Sequence, residues 1–217
     1  MSTGPTELYD SIIEGKHEVA RRLTQEALNG GTDPQELLNK SMVPAMDEVG
    51  RRFDRNEFFV PELLLAARAM KAGMELIRPL LAAGGTEPVA RVVIGSVKGD
   101  LHDIGKNLVA AMLEGGGFEV FDLGVNVSPE RFVSAAQEKK AQIVGLSALL
   151  TTTMASMKKT IDAFREAGLR DRVKILVGGA PVTERFAKEI GADGYSLNAP
   201  GAVSVAKNAL SGVPFKN

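Results

Sequence analysis

The hydrophobic rhythm of the chain changes once. Up to about residue 84, apolar positions recur at three- and four-residue steps. Leu63, Ala67, Met70, Met74, Ile77 and Leu81 form one stripe of a helix that Pro61-Glu62 opens, with proline and an acid in the first turn. Val19, Leu23 and Ala27 predict another helix over about Lys16 to Leu28. Asp33-Pro34-Gln35-Glu36 reads as a capping box with proline at the first helical position. Pro44 is expected to break or restart that segment ahead of Met46, Val49 and Phe53. Together these elements predict a small helical bundle over residues 1–84.

Ala82-Ala83-Gly84-Gly85-Thr86-Glu87-Pro88 cannot sustain a helix and reads as a linker and hinge, with its centre at 85–88. Beyond it, over 89–217, short β-rich runs alternate with helical stretches. The strands are expected at Arg91–Val97, Glu119–Leu123, Gln142–Ser147, Lys174–Val177 and Gly194–Ser196. The helices are expected at Ile104–Glu114, Pro129–Lys140, Thr152–Ala167, Thr183–Ile190 and Ala199–Leu210. Val92-Val93-Ile94 and Ile143-Val144-Gly145-Leu146 suit strands buried on both faces. Five strand–helix units in succession predict a parallel α/β sheet of flavodoxin-like (Rossmann-type) order 2-1-3-4-5.

Composition narrows the chemistry. The 26 basic and 27 acidic residues leave no basic excess for nucleic acid or an anionic membrane. No apolar run reaches a membrane span, and Met1–Asp10 lacks a secretory pattern, so a cytoplasmic protein is expected. The absence of cysteine excludes disulfides, thiol nucleophiles and cysteine-held metals. Only His17 and His102 carry imidazole, and His17 sits in a polar helical stretch that suits a surface residue.

In a doubly wound sheet, ligands bind outside the carboxyl ends of the strands. The loop after the first strand runs from Lys98 to Asn107, that after the third from Ser147 to Thr153, and that after the fourth from Gly178 to Pro181. In the proposed order these three strands are neighbours, so their loops converge. His102 stands two residues after Asp100, close enough for the carboxylate to bond one ring nitrogen and leave the other for a metal. One histidine falls short of a zinc site and suffices only where a macrocycle supplies the other ligands. Gly178-Gly179 lets a bulky ligand approach the backbone.

Asp100-x-His102-x-x-Gly105, then 41 residues, then Ser147-x-Leu149, then 28 residues, then Gly178-Gly179, resembles the fingerprint of cobalamin-binding domains. It is similar to the corrinoid domain of methionine synthase and to the free-standing corrinoid proteins of anaerobic methyltransferase systems. Gly50-Arg51-Arg52-Phe53 and Phe58-Phe59-Val60-Pro61-Glu62-Leu63 resemble the helical cap of methyl-carrying members. The resemblance covers about Asp33 to the C-terminus.

The resemblance implies a cobalamin or related corrinoid bound base-off, with His102 as the lower axial cobalt ligand. Asp100 would hold the His102 ring and Thr153, often serine in the family, would complete a proton relay. Gly99, Leu101, Asp103, Ile104 and Gly105 would complete the ligand loop. Ser147, Leu149, Thr151, Gly178 and Gly179 would line the channel for the nucleotide tail, flanked by Tyr195, Asn198 and Ala199. Phe53, Val60 and Leu63 would shield the bound methyl group. Methionine synthase has leucine at the Val60 position and an acid at Asn39, so no cofactor contact is assigned to Asn39.

The implied role is a cofactor-carrying subunit. It accepts methyl on Co(I) from a substrate-specific methyltransferase and passes it, as methyl-Co(III), to a second methyltransferase acting on tetrahydrofolate or coenzyme M. A reductive activating protein would be a third partner. The chain ends straight after its fifth unit, which leaves no room for a substrate barrel. A cobalamin-dependent sensor and the cobalamin-binding subunit of an adenosylcobalamin mutase are the competing readings. A sensor would need a DNA-binding domain, and an adenosyl group would need space under the cap. A receiver domain would require an aspartate where Ser147 stands, and a dinucleotide site would require Gly-x-Gly-x-x-Gly after the first strand. Asp103 and Lys106 read as solvated, Phe58 as bundle core, and Met42, Met46, Met70, Met74 and Met112 as core fillers.

Overall fold

The computed structural model describes residues 4–83 and 88–212. The chain divides into two compact units, Met1–Val89 with Glu114–Gly117, and Ala90–Leu113 with Phe118–Asn217. Of the expected linker, Ala82 and Ala83 still belong to a helix, and residues 84–87 lie outside the described residues.

The first unit is helical. It contains α1 (Gly4–Ile13), α2 (His17–Asn29), α3 (Pro34–Leu37), α4 (Val43–Asp54) and α5 (Val60–Ala83). Helix α1 has no counterpart in the predicted pattern, yet it buries Leu8, Ile12 and Ile13. The Asp33 carboxylate caps α3 by accepting from Gln35 N–H at 3.1 Å, while Glu36 turns to Lys40 instead of closing the box. At Pro44 the segment restarts rather than breaks, with the proline in the first turn of α4. Leu38–Met42 form a π-helical turn that joins α3 to α4. Proline has no N–H to give, and its ring would collide with the carbonyl of Lys40 in a regular α-helix; the wider turn absorbs both defects.

The second unit is a five-stranded parallel sheet in the order β2-β1-β3-β4-β5. Its strands are β1 (Arg91–Ser96), β2 (Glu119–Asp122), β3 (Ile143–Ser147), β4 (Lys174–Gly178) and β5 (Gly194–Tyr195). The helices are α6 (Ile104–Gly115), α7 (Pro129–Glu138), α8 (Ala155–Glu166), α9 (Glu184–Ile190) and α10 (Ala199–Leu210). Ser128, Thr183 and Asn198 cap α7, α9 and α10 through their side-chain oxygens. Helix α8 starts three residues later than expected, because Thr151–Met154 form a turn.

The two faces of the sheet differ. Toward α7, α8 and α9, side chains of Val93, Val144, Ile175, Phe132, Met157 and Phe164 close a continuous core. Strand parity sends Val92, Ile94, Ile143, Gly145 and Leu176 to the opposite face, under α6 and α10. There the core is left open, and the opening leads to the carboxyl ends of the strands.

Candidate functional site

Asp100 is the centre of a dense hydrogen-bond array. Its Oδ1 accepts from His102 N–H at 3.0 Å and faces His102 Nδ1 at 2.9 Å. Its Oδ2 accepts from Leu149 N–H at 2.7 Å and from the Thr153 hydroxyl at 2.6 Å. The β1–α6 and β3–α8 loops are thereby pinned to one buried carboxylate. Burial alone pushes the Asp100 carboxyl up. The bonds from Thr153 Oγ1, the His102 and Leu149 amides and the His102 ring outweigh it and hold the group well below the usual carboxylate range. Asp100 is therefore ionised and acts only as an acceptor, which places the proton of neutral His102 on Nδ1 and the lone pair on Nε2. The His102 side chain is 48% exposed, and Nε2 has no hydrogen-bond partner among the described residues.

The β2–α7 loop, which sequence reasoning did not single out, supports this array. Asn126 Oδ1 accepts from Gly99 N–H at 2.9 Å, and Asn126 N–H donates to the Asp100 carbonyl at 2.8 Å. Ser96, also unforeseen, donates its hydroxyl to the His102 carbonyl at 2.5 Å. Lys106 corrects the expectation of a solvated side chain: it is only 3% exposed and pairs with Asp122 at the end of β2. Asp103 is exposed, as expected.

The opening beneath α6 and α10 is a cavity of about 500 Å³. His102, Lys106, Ser147, Ser196 and Asn198 line it at the strand ends. Val92, Ile94, Leu113, Ile143, Leu176 and Val205 wall it farther down the strands. Of the predicted residues, Leu101, Asp103, Ile104, Gly105, Leu149, Gly178, Gly179 and Ala199 also line it. Gly99, Asp100 and Thr153 do not line it. Thr151 is exposed on the α8 turn and does not reach the cavity. Tyr195 packs against the core on the other face of the sheet, and Ser196 and Leu197 line the cavity in its place. Gly179 has φ +131°, and a Cβ there would lie 1.9 Å from the Ala148 carbonyl oxygen, so no other residue fits this crossing.

Comparison with known proteins decides the family. A family model described as a B12 binding domain matches residues 90–204, and a second of the same description matches residues 6–78. The dimethylamine corrinoid protein of Methanosarcina barkeri is 42% identical over 206 residues, covering 94% of this chain and 96% of that one. Trimethylamine corrinoid protein 2 of Methanosarcina mazei is 45% identical over 203 residues, covering 93% of each. The chain belongs to the B12-binding corrinoid proteins. Among solved structures, the methanol:cobalamin methyltransferase complex MtaBC from Methanosarcina barkeri superposes with a TM-score of 0.86 at 30% identity, covering 99% of this chain and 82% of that one.

The corrinoid protein's residues fit a macrocyclic cobalt cofactor. Among the described residues no group of three or more His, Cys, Asp or Glu could hold a metal ion, so His102 offers a single donor. Around it the strand ends expose large apolar side chains, with Leu101 at 71%, Ile104 at 75% and Leu197 at 85%. Such a cluster is costly in water and suits a broad, largely apolar ligand. The cavity opens from the strand ends into the sheet domain.

The helical unit of the corrinoid protein places Phe53 half-buried, Val60 exposed and Leu63 fully buried. Phe58, expected as core, is half-buried beneath the Arg52 guanidinium, which stands 5.3 Å from its ring centroid. No helix among the described residues is long and apolar enough to cross a membrane.

Proposed function

We propose that this corrinoid protein is a methyl carrier of a multi-component methyltransferase system, binding its corrinoid base-off with His102 as the lower axial ligand. The observation that carries the reading is His102 itself: it lines the cavity, its Nε2 has no hydrogen-bond partner among the described residues, and its ring is held through Nδ1 by a buried, ionised Asp100. A bound corrinoid supplies the cobalt centre that takes up and gives up the methyl group. The protein supplies the rest. Asp100 fixes the ring's tautomer and leaves the Nε2 lone pair as the donor. The Thr153 hydroxyl bonds the other oxygen of Asp100 and completes the hydrogen-bond chain behind the ring. Gly178, Ser147, Ser196 and Asn198 border the tail's path into the sheet.

The names of the relatives support simple one-carbon donors such as methylamines or methanol. The donor reaction, the transfer to tetrahydrofolate or coenzyme M and the reductive rescue belong to separate partner proteins. Two measurements test the reading. The EPR spectrum of protein loaded with Co(II) corrinoid shows nitrogen coupling from a protein imidazole, and His102→Ala abolishes it. Methyl-loaded protein loses its methyl group to a methylamine-system methyltransferase supplied with coenzyme M or tetrahydrofolate. Imidazole coupling that survives in His102→Ala overturns the ligand assignment, and a methyl group that no such enzyme removes overturns the carrier role.

A further inference from the structure

We infer that the β2–α7 loop is the bracket that positions the axial histidine, with Asn126 and the Asp122–Lys106 pair as its two fixing points. The inference rests on His102 being the metal ligand. The segment from Gly99 to Lys106 carries His102 but is an exposed loop for most of its length. Asp100 fixes the ring through its carboxylate, so the ring can be no better placed than the Asp100 backbone. Besides the bond from Asp100 N–H to the Val97 carbonyl at 2.9 Å, two bonds from a single residue fix that backbone. Asn126 Oδ1 takes the Gly99 N–H at 2.9 Å, and Asn126 N–H reaches the Asp100 carbonyl at 2.8 Å. Both groups flank the bend at Gly99, whose φ is +86°.

Asn126 itself has φ +54°, a left-handed conformation that asparagine tolerates better than most residues. Its loop is held in turn at the other end. Asp122 Oδ1 accepts from Gly124 N–H at 2.8 Å, and Gly124 O accepts from Ser96 N–H at 3.0 Å. The remaining oxygen, Asp122 Oδ2, takes the Lys106 ammonium, which also donates to Asn107 Oδ1 at 2.7 Å. Lys106 is buried in the first turn of α6, just past the His102 loop. A buried ammonium held by one carboxylate on a neighbouring strand fixes the start of that helix. One loop therefore grips the ligand segment at both ends, Gly99–Asp100 and Lys106, and leaves the imidazole between them untouched.

Three substitutions separate this positioning role from a merely structural one. Asn126→Asp keeps the acceptor oxygen and tolerates the left-handed φ. Asn126→Gly keeps the φ and the backbone donor but leaves Gly99 N–H without its acceptor. Lys106→Met removes the far anchor without stranding a buried charge. Each is loaded with Co(II) corrinoid, and the fraction of spectrum showing imidazole nitrogen coupling is read by EPR. Deuterium exchange over residues 99–106 is followed in the corrinoid-free protein, and far-UV circular dichroism checks the fold.

Asn126→Asp is expected to match the wild type. Asn126→Gly and Lys106→Met are expected to lower the ratio of ligated to free histidine by about fivefold, the scale of one lost hydrogen bond, and to speed exchange across the segment. If wild-type protein shows imidazole coupling but both variants keep it in full with unchanged exchange, the bracket is overturned. If Asn126→Asp fails as badly as Asn126→Gly, the acceptor role of the side chain is overturned. Should the wild-type spectrum itself lack imidazole coupling, the ligand reading on which the bracket rests falls, while the exchange data still report on the loop.

Discussion

At the residue scale the site depends on a single ionised carboxylate. The Asp100 carboxyl ionises well below its unfolded counterpart in the folded protein, so its contribution to stability is complete above the unfolded value near 4 and is lost as pH falls below it. Asp100→Asn should therefore destabilise the protein at pH 7, with the gap to wild type narrowing on acidification below about pH 4. Urea unfolding between pH 7 and pH 3 measures this. Thr153→Val removes one bond to a charged oxygen that still keeps the Leu149 N–H, and should cost about 1–3 kcal/mol, whereas Thr153→Ser keeps the donor and should restore most of it. Asp100 and His102 were legible in the sequence because a loop histidine beside an acid is a local signal, whereas Thr153 was reached only through the family resemblance. Asn126 and Ser96 were not, because each acts through the backbone of a segment distant in sequence. Lys106 was misread for a related reason: its partner Asp122 lies 16 residues away, at the end of another strand.

At the element scale the two faces of one strand should respond differently. In β4, Ile175 is fully buried in the closed core, while the adjacent Leu176 lines the cavity. Ile175→Ala should cost about 2–5 kcal/mol of stability. Leu176→Ala, which only widens an existing space, should cost less in the corrinoid-free protein but weaken corrinoid binding; denaturant unfolding and spectral titration separate the two. Periodicity placed most elements within a few residues, since buried parallel strands and capped helices carry strong local signals. It missed α1, a ten-residue helix. It also put Tyr195 on the wrong face, because a strand of two residues does not announce its parity. In the helical unit, Glu48 is held down to about 2 by Arg52 and Arg51, against the effect of burial and with help from Arg55. Glu48→Gln should destabilise the protein at neutral pH, and the difference should fade as pH falls from about 4.5 toward 2.

At the scale of the whole molecule, the sheet domain has a closed core on one face and a cavity of about 500 Å³ on the other. A ligand that enters only the folded chain stabilises it by an amount that grows with the logarithm of its concentration over the dissociation constant. Corrinoid at about a hundred times its dissociation constant should add about 2.7 kcal/mol, seen as a rise in melting temperature. A corrinoid stripped of its nucleotide tail should give a smaller rise, because it leaves the interior unfilled.

That unfilled interior also bears on how much of the protein a cell keeps. A corrinoid that fills the cavity adds contacts that oppose local opening, so loaded chain should resist proteolysis better than corrinoid-free chain. Scarcity of the vitamin would then shorten the chain's lifetime, and abundance would prolong it. The pool of carrier would thus track the supply of its cofactor without any change in transcription.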